Sequence, residues 1–350
     1  VTLRPAERGA LLAVVETQRL GCELAGSPLY AEVLQAVAHD LDRNGPCAAV
    51  LAGVADAPFG DAVLLRYLAG LHRLALAGEA PELAAHLPSA GGHPGRGLAA
   101  AVVAATEAHA PTLVAALGEG VQTNEVGRSA SLLGGFLEVA RAGLPLRVLE
   151  VGASAGLNLL FDRYRYEAGE DAFGPADSPL RFVEPWVSRA PDLATPVDVA
   201  ARRGCDAAPI DPSSPEGRLR LRSFVWPDQL DRLARLDAAL SVVDRVGAPV
   251  VDRAGAAAWA SAQLADPAPG VATVLTHSIV LQYLDPLERA TLVAAIESAG
   301  ARADDRAPLA WLRLEPGGDQ AELRLTTWPG GHTRVLATSA YHGPPVLWRG

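Results

Sequence analysis

The segment Leu146–Asn158, LRVLEVGASAGLN, constrains the fold of this chain more than any other stretch. Leu146–Val151 is an apolar run of strand length. It breaks into five small residues, Gly152-Ala153-Ser154-Ala155-Gly156, and apolar character resumes over Leu157–Phe161. Small residues let the backbone turn sharply and approach whatever lies against it. A strand that ends in such a loop and feeds a helix is the repeating unit of parallel α/β sheets. It presents backbone N–H groups to a ligand at the helix start.

The chain changes character at this segment. Residues 1–143 read as helical, with apolar stripes at Leu11, Leu12, Val15 and Leu20, at Leu29, Val33, Leu34, Val37 and Leu41, and at Val63, Leu64, Tyr67, Leu68 and Leu71. Gly/Pro clusters at 53–60 and 88–95 punctuate them, and Asp61 is the expected N-cap of the third. Further helices are expected over 97–109, from Pro111 and over 129–142, with VQTNEVGR (121–128) as a polar loop. After residue 146, strands alternate with helices. Strands are expected at 146–151, up to Asp206, and at 249–252, 272–277 and 309–314; helices are expected at 227–246 and 286–299. A closing hairpin pairs 321–328 with 333–337, and 163–182 reads as an inserted hairpin. The fold class is α/β: an N-terminal all-helical region over 1–143, then a Rossmann-like, doubly wound sheet over 144–350 with a C-terminal β-hairpin.

Composition narrows the chemistry. An apolar fraction of 49% with 20% charged residues belongs to a globular chain. The net charge of −10 opposes nonspecific attraction to nucleic acid or an anionic membrane. All 30 basic residues are Arg, so Schiff-base and pyridoxal-phosphate chemistry, which needs a lysine amine, is excluded. Three scattered Cys without CxxC and eight His without HxxxH predict neither a disulfide framework nor a metal site. Apolar runs such as Leu98–Ala105 are too short to cross a bilayer, and Val1–Leu20 carries Arg4, Glu7, Arg8 and Glu16, unlike a signal peptide. The expectation is a cytoplasmic protein acting on a small molecule, alone, as a homodimer or beside a partner subunit.

The small-residue loop can be read in two ways. Gly152-x-Ser154-x-Gly156 fits the nucleophile elbow of serine hydrolases, and Asp252 with His277 or His342 follows in the right order. Such an elbow follows a central strand, however, and 146–151 is the first strand of this chain. Glu150-x-Gly152-x-Ser154-x-Gly156 also resembles the acidic-x-Gly-x-Gly-x-Gly loop of class I S-adenosylmethionine (SAM) methyltransferases, with Ser154 in place of the middle glycine. That resemblance implies a SAM-methyltransferase-like sheet and a site for SAM. Glu150 would lie near the methionine moiety, Gly152, Ser154 and Gly156 would form the loop, and Asn158 would stand in the first turn after it. Asp206, in GCDAAP, would bind the ribose hydroxyls. Asp206 follows Gly156 by 50 residues, beyond the roughly 20 of a bare βαβ unit; the inserted hairpin accounts for the excess. Gly255 stands where the third strand's segment would carry a carboxylate or amide.

Six motifs together, VQTNEVGR, LEVGASAGLNLLFDRYRYE, RRGCDAAPIDPSSPEGRLRLRSFVWPDQ, THSIVLQYL, APLAWLRLEP and SAYHGPPVLW, look like the bacterial DUF2332 family. The similarity spans essentially the whole chain. It implies that the helical front and the α/β rear belong to one protein type.

Other residues are candidates by position. Gln122, Asn124, Glu125 and Arg128 precede the helix into the first strand, either as substrate or anion ligands at the sheet's carboxyl edge or as a polar cap. His277 ends the fourth strand, where its ordinary pKa near 6.5 suits a general base; a buried, bonded histidine is the alternative. Gln282 and Tyr283 follow it and either hold substrate or pack. Asp228 opens a helix behind Trp226-Pro227, as a catalytic or a structural group. Tyr341 and His342 fall in a terminal loop. The expected activity is methyl transfer from SAM to an O or N of a small molecule, with His277 or a carboxylate removing the proton. The alternatives are a cofactor-independent elimination or ring closure on an amino-acid-derived intermediate, using a base and an anion-holding Arg128, and a noncatalytic partner subunit.

Overall fold

A computed structural model of the chain describes residues 3–57 and 62–350. The expected cap Asp61 lies outside the described residues. The chain packs as two units. One comprises the chain up to Thr123 with Pro215–Ala234; the other comprises Asn124–Ser214 with Arg235–Gly350.

The first unit is helical. Its main elements are α1 (Pro5–Leu24), α2 (Pro28–Asp42), α3 (Pro46–Leu51), α4 (Val63–Leu76), α5 (Pro81–Ala84), α6 (Leu98–Ala108), α7 (Ala110–Leu117) and α9 (Pro215–Ser223). Several open on proline, whose missing N–H costs nothing in a first turn. The stripes of α2 and α4 are buried in full and build the core of the unit, whereas Leu20 of α1 faces outward. Among the described residues no single helix is long and apolar enough to cross a membrane; α6 and α7 form an apolar pair bent by 85°.

The second unit is built on an eight-stranded sheet. Its strands are β1 (Leu146–Val151), β5 (Val199–Asp206), β6 (Val251–Arg253), β7 (Ala272–Ser278), β8 (Leu309–Pro316), β9 (Ala321–Trp328), β10 (His332–Ala340) and β11 (Gly343–Trp348). Their spatial order is β11-β10-β9-β8-β7-β1-β5-β6. The five strands from β6 to β8 are parallel, and β9, β10 and β11 add an antiparallel meander. The chain runs outward from β1 through β5 to β6, then returns to β7 on the other side. The strand order therefore reverses between β1 and β7, the place where open α/β sheets take ligands at their carboxyl ends.

Both faces are covered. Leu149, Leu275 and Trp311 join a core with α11 (Ala256–Gln263) and α12 (Pro286–Gly300). On the other face lies α8 (Arg128–Ala140), whose Gly135 sits against Leu312 and whose Gly134 sits against the Trp348 ring. Phe136 of α8 stacks on Phe161 at 3.9 Å. The remaining helix, α10 (Leu230–Val246), crosses the boundary in sequence between the units.

Several expectations need correction. Leu157–Arg163 is a 3-10 segment rather than a helix. The inserted hairpin is a three-stranded sheet: β2 (Arg165–Ala168) pairs antiparallel with β3 (Asp171–Phe173) and parallel with β4 (Arg181–Val183), with Tyr166 stacked on Phe182. The closing hairpin gains a third strand, β11, directly after the terminal loop expected at Tyr341 and His342. Helices α9 and α11 were not anticipated.

Candidate functional site

The loop after β1 alternates left-handed residues. Gly152, Ser154 and Gly156 have φ of 68°, 53° and 75°. These are the three glycine positions of the methyltransferase-like pattern. A side chain at such a φ crowds its own backbone, so glycine is the unstrained residue there. Ser154 keeps the conformation at a cost.

The loop's amides are committed inside the protein. Ala153 N–H donates to Cys205 O at 2.9 Å, and Gly156 N–H to Ala153 O at 2.7 Å. Ser154 N–H donates to Asp206 Oδ2 at 2.9 Å. Asn124 Oδ1 accepts from both Ala155 N–H (3.2 Å) and Leu157 N–H (3.1 Å). The expected cradle of free N–H groups over 153–157 is thus replaced by a loop that Asn124 and Asp206 hold shut. Asp206 also accepts from Ala208 N–H at 2.8 Å, so its carboxylate organises two loops. Val280 covers the mouth of the turn: a Cβ at Gly152 would lie 2.5 Å from Val280 Cγ2.

Glu150 and Asp206 end neighbouring strands, since β1 pairs directly with β5, Glu150 opposite Gly204 and Val151 opposite Cys205. Glu150 is 2% exposed, and among the described residues its Oε2 has no hydrogen-bond partner. Burial pushes its carboxyl up to about 8, against the pull of Arg128 and with a further push from Asp206. Thr276, opposite Glu150 on β7, is equally buried and its hydroxyl is also without a partner. Two buried polar groups without hydrogen-bond partners therefore stand in register on adjacent strands at the strand-order reversal.

Arg128 opens α8 beside this pair. Its Nε–H donates to Tyr341 O at 3.0 Å and its Nη1–H to Ser278 O at 3.1 Å. It pins the ends of β7 and β10 while its charge acts on Glu150. Glu125 accepts from Gly127 N–H at 3.0 Å and lies 3.7 Å from Arg235. Asn158 accepts from Ser129 Oγ–H (2.7 Å) and donates to Glu125 O (3.4 Å), joining the 3-10 segment to α8. Both are buried framework residues.

His277 is placed as expected at the end of β7, but it is fully buried and both ring nitrogens are occupied. Nδ1 bonds Glu315 Oε1 at 2.6 Å, and Nε2 accepts from Trp311 Nε1–H at 2.9 Å. This corrects its assignment as a general base: no lone pair is left for a substrate proton. Asp228 is corrected as well. It belongs to the helical unit, where its carboxylate accepts from Ser27 Oγ–H (2.6 Å) and Leu29 N–H (3.1 Å) and so caps α2. Gln122 is buried and also groups with that unit. Gln282 and Tyr283 lie on the short 3-10 turn after β7; Gln282 is exposed and Tyr283 half-exposed.

The hydrolase arrangement does not form. Asp252 is held by Arg203 (2.6 and 2.7 Å) and by Trp259 Nε1–H (2.7 Å). Arg203, with Trp259, brings the Asp252 carboxyl down to about 2. Among the described residues no bond joins it to a histidine. Among the described residues, no group of three or more His, Cys, Asp or Glu side chains is placed to hold a metal ion.

Thr276 and Glu315 escaped the sequence reading. Glu315 had a visible signal, a lone acid ending the apolar strand LAWLRLEP, as Glu150 ends LRVLEV.

A family model described as an uncharacterized protein conserved in bacteria (DUF2332) matches residues 14–348, so the chain belongs to that family. No curated protein and no solved structure matches it.

Proposed function

For this member of the DUF2332 family, we propose SAM-dependent methyl transfer to an O or N of a small molecule, at the carboxyl edge of β1 and β7. One observation carries the reading: the buried, partnerless Oε2 of Glu150 at the strand-order reversal, beside the strand that ends in Asp206. A buried carboxyl oxygen without a donor is costly, and a cationic N–H donor is the group that relieves it best. The methionyl ammonium of SAM is such a donor. Asp206, only half-buried at the end of the neighbouring strand, would be the carboxylate that meets the sugar hydroxyls.

The fit is partial. Glu150 and Asp206 suit the group; the amides of 153–157 do not, being held by Asn124, Asp206 and the backbone. Affinity would then come from side chains rather than from the loop's N–H groups. When bound, SAM supplies an electrophilic methyl carbon. The chain would contribute the ammonium-binding carboxylate of Glu150 and the ribose-binding carboxylate of Asp206, with Asn124 holding the loop after β1.

Calorimetric titration with S-adenosylhomocysteine tests this. Binding is expected to the wild-type chain, weaker by at least about tenfold in Glu150→Gln, which loses a charge-assisted hydrogen bond. Absence of heat and of any rise in Tm at millimolar ligand overturns the reading.

A second reading is a cofactor-independent proton-transfer enzyme on an amino-acid-derived intermediate. It is favoured by the raised carboxyl of Glu150 together with the closed amides of the loop. Glu150 would then move the proton, with the charge of Arg128 beside it.

A further inference from the structure

The loop that follows β7 carries a strained residue. Ile279 has φ of 55°. A β-branched side chain in the left-handed region is a steric outlier, and it persists only where its surroundings over-determine it. Here the surroundings converge on one oxygen. Glu315 Oε1 accepts from His277 Nδ1–H at 2.6 Å, Val280 N–H at 3.0 Å and Leu281 N–H at 3.4 Å. Because Nε2 accepts the Trp311 indole N–H, Nδ1 is the ring nitrogen that donates to Glu315. On either side of Ile279, Arg128 holds Ser278 O, and Val280 packs its methyl groups over Gly152. Ile279 itself donates to Leu314 O at 2.8 Å. One carboxylate on β8 thus fixes the residues that tie the β7 loop to the glycine turn after β1.

We propose that Glu315 is a positioning residue for the carboxyl-edge site: as an acceptor, it holds residues 278–281 in the left-handed turn that seats Val280 against Gly152, with His277 and Trp311 orienting its carboxylate. The proposal rests on reading that edge as the binding site. Glu315 touches no ligand in this scheme. It acts through the loop, and its negative charge is secondary to its acceptor oxygen. Burial alone would raise its proton affinity, but the bonds from His277, Val280 and Leu281 bring the carboxyl below its ordinary value, so the acceptor is present as the carboxylate.

The test compares Glu315→Leu, which fills the space without an acceptor, with Glu315→Gln, which keeps one. Hydrogen exchange at the Val280 and Leu281 amides is read first, then affinity for S-adenosylhomocysteine. In the Leu variant, exchange at both amides should speed up by at least about tenfold, with affinity falling by a similar factor. The Gln variant should restore most of both. Wild-type protection in the Leu variant overturns the proposal. So does faster exchange with unchanged affinity, or an equal loss in Leu and Gln, which is what a packing role alone would give. Should Leu at 315 prevent folding, Glu315→Asp, which withdraws the carboxylate by one methylene, carries the same expectation as Leu. If the wild-type chain fails to bind S-adenosylhomocysteine, methyl transfer falls, while the exchange rates still decide whether Glu315 holds the loop.

Discussion

At the scale of single residues, the site is defined by where protons and lone pairs are left over. Glu150 binds a proton more tightly in the folded chain, at about 8, than the ordinary 4.5 it regains on unfolding. Its contribution to stability is therefore complete below about pH 4.5 and is lost as pH rises toward 8, at about 1.4 kcal/mol per pH unit across that window. Urea unfolding of wild type and Glu150→Gln at pH 5 and pH 8 checks this. Glutamine cannot ionise, so the extra fall in stability between the two pH values should vanish in the variant. The places of Glu150 and Asp206 near the ends of adjacent strands were legible in the sequence, where each closes a strand-like run. The place of His277 near the end of β7 was legible too, but its bonding was not. Its partners, Trp311 and Glu315, lie 34 and 38 residues further along, and nothing local to His277 signals them.

Among the elements, the helices that show an apolar stripe were the readable ones. Helices α2 and α4 bury every residue of their stripes. By contrast α9, PEGRLRLRS, is mostly polar, and α11, AAAWASAQ, is apolar all round, so neither displays the one-sided pattern that marks a helix. The ends of elements depend on distant groups. Asp228 caps α2 from 199 residues away, and Asp228→Ala should cost about 1–2 kcal/mol of unfolding free energy while leaving affinity for S-adenosylhomocysteine unchanged. A loss of binding without a loss of stability would return Asp228 to the site. Helix α8 shows how glycine sets helix-to-sheet distance. A Cβ at Gly134 would lie 2.3 Å from the rigid Trp348 ring. Gly134→Ala should therefore destabilise the chain by about 1–3 kcal/mol, despite the better helix propensity of alanine. Thermal melting gives the sign directly.

On the scale of the molecule, the second unit is a parallel sheet extended by an antiparallel meander. Its last strand, β11, leans on α8 through Trp348, which is 5% exposed. Trp348→Ala should cost about 3–5 kcal/mol, read as a lower denaturation midpoint, because the cavity opens between the sheet's edge and the helix that covers it. A shift under 1 kcal/mol would show that β11 is dispensable. This strand was hidden in the sequence by its two prolines, Pro344 and Pro345, which demote a run to loop by local rules. It holds because both prolines fall at the register shift between Gly343 and Val346, outside the paired positions of the ladder.

Local chemistry fixed the α/β class, the strand-and-turn at 146–156 and the acids that close β1 and β5. Apolar spacing, small residues and strand-end carboxylates act within a few residues of chain, and they survive in any folded context. Tertiary structure alone decided that Glu150 is left unpaired beside Thr276, that Asn124 closes the loop, and that His277 belongs to Glu315 and Trp311. Those outcomes depend on which distant atoms compete for the same lone pairs, and that competition begins only when the strands are side by side.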